Sequence, residues 1–308
     1  MKIALVTAIA AFALDEDLAP LQRALVAAGV DAPIVAWDDS TVSWRRFDAA
    51  LLRSPWDYTE RLPEFLEWAR AVQAQTLLLN PLEVIRQNVD KHYLAALEKK
   101  GIAIVPTDFA EPGEDAGAAL TAFLARHAKA PEFVVKPAIG AGSRDAQRYR
   151  RNQKRSAQAH VKRLLAEDRS VLMQPYLDSV DEAGETALIF FDGEFSHAIR
   201  KGPLLVADEG PTEALFAAET ISAREPGKDE LALARATLKA LGTRQPLAYA
   251  RVDLIRAADG TPRLLELELT EPSLFFPFGE GAAERFVEAL KKHVGAAFSR
   301  DSSRPRRG

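Results

Sequence analysis

Two runs of period-two alternation flank the dipeptide Asp259-Gly260. Before it, Ala250, Val252 and Leu254 alternate with Arg251 and Asp253; after it, Leu265, Leu267 and Leu269 alternate with Glu266, Glu268 and Thr270. Such alternation on both sides of Asp-Gly specifies a β-hairpin. Centred on that dipeptide, the hairpin sets Asp253 opposite Glu266 and Arg251 opposite Glu268. All four side chains then share one face, with directly opposed Cβ atoms about 4.5–5.5 Å apart. Three carboxylates so close repel one another, and Arg251 offsets only part of the repulsion. A divalent cation would offset the rest, because Mg²⁺ takes oxygen ligands, commonly a couple of carboxylates together with phosphates. The alternative is a solvated face whose charges all point into water.

The chain has 308 residues, 47% of them hydrophobic and 27% charged, enough for more than one core. A net charge of −4 gives no nucleic-acid footprint, and the one basic concentration is the end of the chain, Ser299–Gly308, read as a disordered tail. With no cysteine, disulfides, thiol catalysis and cysteine zinc sites are excluded, which is compatible with a reducing cytoplasm. The apolar start, Lys2 to Leu14, could be a secretory signal. The acidic run Asp15–Asp17 and the helical pattern behind it favour a buried first strand instead. No stretch reaches the ~18–20 apolar residues of a membrane span.

Short apolar strands are predicted at 2–7, 33–36, 49–53 and 76–79, with helices at 17–28 and 61–74 between them. That alternation implies a small parallel sheet. The loop after the third strand, Arg53–Tyr58, lies at a strand's carboxyl end, where open α/β sheets bind ligands. This makes Arg53 a candidate substrate contact and Trp56 a cover for the sheet edge. One helix is predicted over Leu82–Lys100, a strand over Ala103–Pro106, and a helix within 111–129. The strand Glu132–Pro137 carries Lys136 into the small-residue loop Ala138–Asp145. Exposed backbone N–H groups there, with a lysine beside them, suit an anion, although the loop lacks a P-loop ending. Helix 156–166 and strand 170–174 follow.

A second hairpin, Glu185–Phe191 with Glu194–Lys201, turns at Asp192-Gly193, which sets Glu185 opposite Arg200. Arg200 and Lys201 at its end suit an anionic ligand, and His197 reads either as a partly buried strand histidine or as a pocket residue. Residues 204–226 read as irregular, with helices at 227–242 and 281–298 around the first hairpin.

In this order the segments resemble the ATP-grasp superfamily, nearest its glutathione-synthetase-like branch, over about residues 75–290. The similarity rests on Asn80-Pro81 with Asn88 and Asp90-Lys91, and on Val105-Pro106-Thr107. It extends to Val134–Pro137 with its loop, Met173–Leu177, and the pair Arg251-x-Asp253 and Glu266-x-Glu268-x-Thr270. Glu268 stands where the family usually has Asn, and Ala187 lies near a position where glutathione synthetases carry Arg. The loop Arg53–Tyr58 and the segment Thr270–Phe276 are more similar to the cyclo-ligases that close the cycloserine ring.

The resemblance implies an α/β (α+β) ATP-grasp fold: a Rossmann-like pre-ATP-grasp domain over 1–88, then an ATP-grasp domain over 89–300. The latter would have a lid subdomain at about 107–175 and a C-terminal antiparallel sheet, with 301–308 as the tail. It implies a cytoplasmic ligase that uses ATP and Mg²⁺ (or Mn²⁺) to activate a carboxylate as an acyl phosphate for attack by an amine. Its partners would be a small acid and an amine, and a homodimer is one assembly the resemblance allows. The alternatives are ring closure within one amino-acid-like substrate, or nucleotide binding without turnover. Lys91 and Lys136 would hold phosphates under the loop with Gly140, Gly142 and Ser143. Gln174, Tyr176 and Leu177 would meet adenine, and Glu185 the ribose. Asp253, Glu266 and Glu268 would hold the metal. Arg251, Lys201 and Arg200 would serve catalysis, and Arg53, His197 and Glu271 the substrate.

Overall fold

The structure, a computed structural model, describes residues 1–205, 220–244 and 246–301, without the side chains of 300 and 301. Most of the segment read as irregular (206–219) and most of the tail (302–308) lie outside the described residues, while 299–301, read as the start of the tail, continue the last helix. Strands β1 (Ile3–Thr7), β2 (Ile34–Ala36), β3 (Ala49–Ser54) and β4 (Leu77–Leu79) form a parallel sheet in the order β2-β1-β3-β4. The connections run through helices α1 (Leu18–Ala27) and α2 (Leu62–Gln73), as the alternation of short apolar runs and amphipathic helices requires.

The helix expected over 82–100 is two helices, α3 (Leu82–Asn88) and α4 (Tyr93–Lys99). Asp90 stops the first turn of the interruption by accepting the His92 N–H at 3.0 Å. The Lys91 N–H donates to the Ala138 carbonyl at 3.0 Å, which an unbroken helix would forbid. The strand expected at 103–106 is only a bridge between Ile104 and Leu264. Pro106 has no N–H to donate, and pairing resumes at β5 (Asp108–Ala110).

A second sheet, all antiparallel, runs β5-β8-β6-β7, with α5 (Ala116–Arg126), β6 (Glu132–Pro137), β7 (Gln147–Arg150), α6 (Lys154–Ala166) and β8 (Val171–Pro175). Phe123, Phe133, Tyr149, Val161 and Met173 form its core under the two helices. After the short helix α7 (Ser179–Ala183) come β9 (Glu185–Phe191), β10 (Glu194–Lys201), β11 (Ile221–Ala223), α8 (Lys228–Ala240), β12 (Tyr249–Arg256), β13 (Pro262–Glu268) and α9 (Ala282–Asp301). Their sheet is antiparallel in the order β11-β10-β9-β12-β13. One face shares a core with the N-terminal sheet, α1 and α9; the other packs on α4 and α8.

Strand β13 is an edge, and an edge leaves a row of unpaired backbone groups. Here side chains and a neighbouring loop take them up. Asn88 donates to the Leu267 carbonyl at 2.7 Å and accepts from the Leu269 N–H at 2.7 Å. The Tyr93 hydroxyl accepts from the Leu267 N–H at 2.9 Å. Residues 103 and 105 bracket Leu264, with bonds of 2.8 and 2.9 Å. Asn80, 1% exposed, donates to the carbonyls of Tyr249 and Leu269 and accepts from the Ala248 N–H, each at 2.9 Å. Replacing Asn80 by Ala should therefore destabilise the protein by roughly 2–4 kcal/mol, because a buried N–H and two carbonyls lose their partners. Urea denaturation followed by circular dichroism measures it, and a change below about 0.5 kcal/mol would show that these bonds do not hold β13 in place.

Candidate active site

The first hairpin realises the predicted opposition: Arg251 pairs with Glu268 and Asp253 with Glu266. It does so by two departures that cancel. The turn is a three-residue loop, Ala258–Gly260, closed by Ala257 and Thr261, with Gly260 at φ +79°. That displaces the pairs next to the turn by one residue. A bulge at Leu265 then restores the expected register from Asp253 onward. In the second hairpin a bulge at Ser196 has no such compensation. Glu185 consequently faces Lys201, not Arg200 as the sequence suggests.

These strands form one wall of a deep cleft whose other wall is β6 and β8. The cleft brings together Lys91, Lys136, Gly140, Gly142, Ser143, Gln174, Tyr176, Leu177, Glu185, Lys201, Arg251, Glu266, Glu268 and Glu271. Asp253 lies directly behind, 2% exposed. Within it the charges neutralise one another across elements. Lys91 and Lys136 reach the two oxygens of Glu266 at 3.0 and 3.3 Å. Lys201 Nζ is 2.8 Å from Asp253 and 3.3 Å from Glu185. Arg251 donates to Asp253 at 2.9 Å and also bonds Glu268.

The consequences for ionisation differ along β13. Burial pushes Asp253, Glu266, Glu268 and Glu271 up, but Lys91 and Lys136 hold Glu266 well below the usual carboxylate range. Asp253 likewise is held low by Arg251 and Lys201 in spite of its burial. Glu268 is pushed up to about 7, by burial first and then by the charges of Asp253 and Glu266, although Arg251 pulls the other way. Glu271 rises to about 8 through burial and the Glu268 charge.

Among the described residues no three His, Cys, Asp or Glu side chains are gathered in metal-binding geometry. The donor set nevertheless fits a hard divalent cation in its chemistry. Glu266 and Glu268 line the cleft from alternate positions of one strand, and carboxylate oxygens so placed suit such an ion.

The loop after Lys136 is held at both ends. Lys91 Nζ donates to the Gly140 carbonyl at 2.8 Å, and Asp145 accepts from Arg163 and Arg169 at 2.6 and 2.7 Å. Gly142, Ser143 and Asp145 all have positive φ, so backbone turns sharply over the cleft. Arg144 on this loop pairs with Glu60 of the turn that follows β3. At the far end, Val105, Val180 and Ile255 with Tyr176, Leu177 and Leu265 form an apolar slot. Leu265 enters that slot because the bulge turns it there.

Three expected contacts lie elsewhere. Arg53 is wholly buried and donates to the Pro272 carbonyl at 2.6 Å, so it holds backbone and does not face the cleft. His197 bonds the Leu274 carbonyl through Nε2 at 2.8 Å and Ser196 through Nδ1 at 3.0 Å, a satisfied strand histidine. Arg200 donates to the carbonyls of Ala183 and Glu182, both at 2.9 Å. Conversely, Trp56 and Tyr58 line the cleft beside Glu271. Their signal was present in the aromatic loop at a strand's carboxyl end. Asp17 belongs with them: its carboxylate accepts the N–H groups of Leu274, Phe275 and Phe276 at 2.5, 3.0 and 3.0 Å.

A family model described as the N-terminal domain of D-cycloserine synthetase DcsG matches residues 3–80. The cycloserine biosynthesis protein DcsG of Streptomyces lavendulae is 45% identical over 296 residues, covering 95% of this chain and 98% of that protein. The chain belongs to the D-cycloserine synthetase family of ATP-grasp ligases. The crystal structure of D-cycloserine synthetase DcsG aligns with a TM-score of 0.90 at 44% identity, over 96% of this chain and 100% of that one. The ATP complex of the D-alanine–D-alanine ligase from Bacillus anthracis shares the fold at 15% identity, with a TM-score of 0.66 and coverage of 98% and 99%. As a member of this ligase family the chain is an enzyme that forms C–N bonds. No helix among the described residues is long and apolar enough to cross a membrane.

The raised carboxyls set a pH dependence. In the folded protein Glu268 and Glu271 keep a proton up to about 7 and about 8, whereas the unfolded chain releases it near 4.5. The folded state thus binds more protons across that window, and the ligand-free protein should lose stability as pH rises through it. Urea unfolding between about pH 5.5 and 8.5 tests this, with a flatter profile expected for Glu268→Gln/Glu271→Gln. An unchanged slope in the double variant would mean that neither carboxyl is neutral in the empty cleft.

Proposed function

We propose that this chain is a magnesium- or manganese-dependent cyclo-ligase. It would use ATP to activate the carboxylate of an amino-acid-like substrate, which a nitrogen of the same molecule then attacks, giving a cycloserine-type ring. The observation that carries the ring-closing reading is where the likeness to DcsG falls. It spans the whole length of that protein and includes residues 3–80, the part that supplies Trp56 and Tyr58 to the cleft. The three separate sheets support reading residues 1–88, about 107–175 and the remainder to 300 as an N-terminal unit, a lid and a C-terminal unit.

The residue roles follow from the charges in the cleft. Lys91 and Lys136, which pair with Glu266, are cations placed to turn to phosphate oxygens beneath the Gly140–Ser143 loop. The apolar slot of Leu177, Val180, Ile255 and Leu265 suits a flat base, with Gln174 and Tyr176 at its edge and Glu185 toward the sugar. Asp253, Glu266 and Glu268 would hold the metal, which when bound supplies positive charge against the phosphates. Arg251 is oriented by Asp253, Glu268 and the Ser273 carbonyl, at 3.0 Å from the last, so its guanidinium is fixed before any charge develops. Lys201 stands beside it as the second fixed cation. Catalysis of this kind is positioning and charge neutralisation.

An assay for ADP and product by mass spectrometry, with serine-derived acids and no free amine, tests the reading. An ATP-dependent product that has lost water relative to its acid supports ring closure; a product that appears only with added amine would make the chain an intermolecular ligase. Asp253→Asn and Glu266→Gln should each lower turnover at least 1,000-fold, a loss of roughly 4 kcal/mol, with the native circular dichroism spectrum retained although the broken ion pairs lower the unfolding midpoint. Lys136→Met should weaken nucleotide binding about tenfold. Full turnover in both carboxylate variants would remove the metal assignment.

A further inference from the structure

Glu271 differs from the other carboxyls of the cleft. Glu266 is met by Lys91 and Lys136, Glu185 and Asp253 by Lys201, and Glu268 by Arg251. Among the described residues Glu271 makes no ion pair. Its carboxyl instead lies beside the Tyr58 hydroxyl, each group shifting the ionisation of the other, and Trp56 Nε1 donates to its backbone carbonyl at 3.2 Å. Both aromatic residues are nearly buried, at 5% and 3% exposure, and both line the cleft on the same side as Glu271.

The backbone on either side is fixed from the N-terminal sheet by Arg53 on Pro272 and by Asp17 on the three N–H groups from 274 to 276. A half-buried carboxyl without an ion pair of its own, beside the charge of Glu268, is costly as an anion. Burial first and then the Glu268 charge raise it to about 8, although Lys91 pulls the other way. A cationic group on the occupant of the cleft would complete it. A carboxylate beside aromatic side chains suits an ammonium group, through a charge-assisted hydrogen bond.

We propose that Glu271, oriented by Tyr58, binds the substrate's α-ammonium group and so selects an amino acid over the corresponding hydroxy or desamino acid. This assignment rests on the cycloserine-ring reading above. Glu271 is then a substrate-binding residue, and Tyr58 a positioning residue that acts through it.

The matched pair D-cycloserine and 3-isoxazolidinone, which differ only in the amine, tests the assignment. Each is titrated calorimetrically into the full chain in the presence of Mg·ADP. Wild type should bind D-cycloserine at least roughly tenfold more tightly than the desamino ring, because a buried charge pair is made only with the former. Glu271→Gln should abolish that preference while Mg·ADP affinity stays as in wild type. Tyr58→Phe should reduce the preference about threefold without changing the affinity for 3-isoxazolidinone. This second variant decides the matter if Glu271→Gln does not fold. An amine preference retained in Glu271→Gln, or untouched in Tyr58→Phe, overturns the assignment and leaves the cycloserine reading standing. Failure of wild type to bind either ring contradicts the cycloserine reading and the assignment together.

Discussion

The cleft depends on one edge strand being held in register. β13 supplies Glu266 and Glu268 to the cleft, and its outer backbone has no sixth strand to bind. Asn80, Asn88 and Tyr93, with the bracket at Leu264, occupy those backbone groups. A slip by one residue would turn both carboxylates into the core and Leu267 and Leu269 out of it. The side chains that seal the edge are thus as much a part of the site as the acids they aim. They also connect distant parts of the sequence, since Asn80 lies just past β4 and Tyr93 begins α4.

The second dependence is electrostatic. Acidic side chains on two neighbouring strands would repel if left alone, and besides Arg251 on β12 itself the cations that neutralise them come from three other places in the chain. Each pair is between groups that are largely out of water, where a missing partner is costly. The same cations are those a polyanion would attract. These ion pairs hold the cleft together, and under the proposed function a nucleotide with its metal would take their place. Glu271 stands outside this scheme, at the end where the N-terminal sheet meets the loop from 270 to 276.

The strands, most helices and the hairpin face were legible because apolar spacing reports burial directly. Alternation put Asp253, Glu266, Arg251 and Glu268 on one face, and the Lys136 loop and the 173–177 segment fell where they line the cleft. What sequence could not show was the bulges. One at Leu265 hid an error in the turn, and one at Ser196 moved Glu185 from Arg200 to Lys201. Neither has a residue signature, since each depends on contacts made by the neighbouring strand. Arg53, His197 and Arg200 misled for a related reason. Their chemistry suits anions, yet backbone carbonyls satisfied them, and those carbonyls belong to segments far away in sequence. The strand at Gln147–Arg150 was visible in principle, with buried Gln147 and Tyr149 alternating with Arg148 and Arg150.

The exchange of partners on β13 is the central claim, and the magnesium dependence of nucleotide affinity reaches it most directly. Calorimetric titration of a non-hydrolysable ATP analogue, with magnesium and with chelator, would be run on wild type and on Glu266→Gln. If Lys91 and Lys136 leave Glu266 for phosphate while the carboxylates receive metal, the variant should bind the metal-free analogue more tightly than wild type does, and magnesium should add little. Equal metal-free affinity and an undiminished gain from magnesium in the variant would contradict the account.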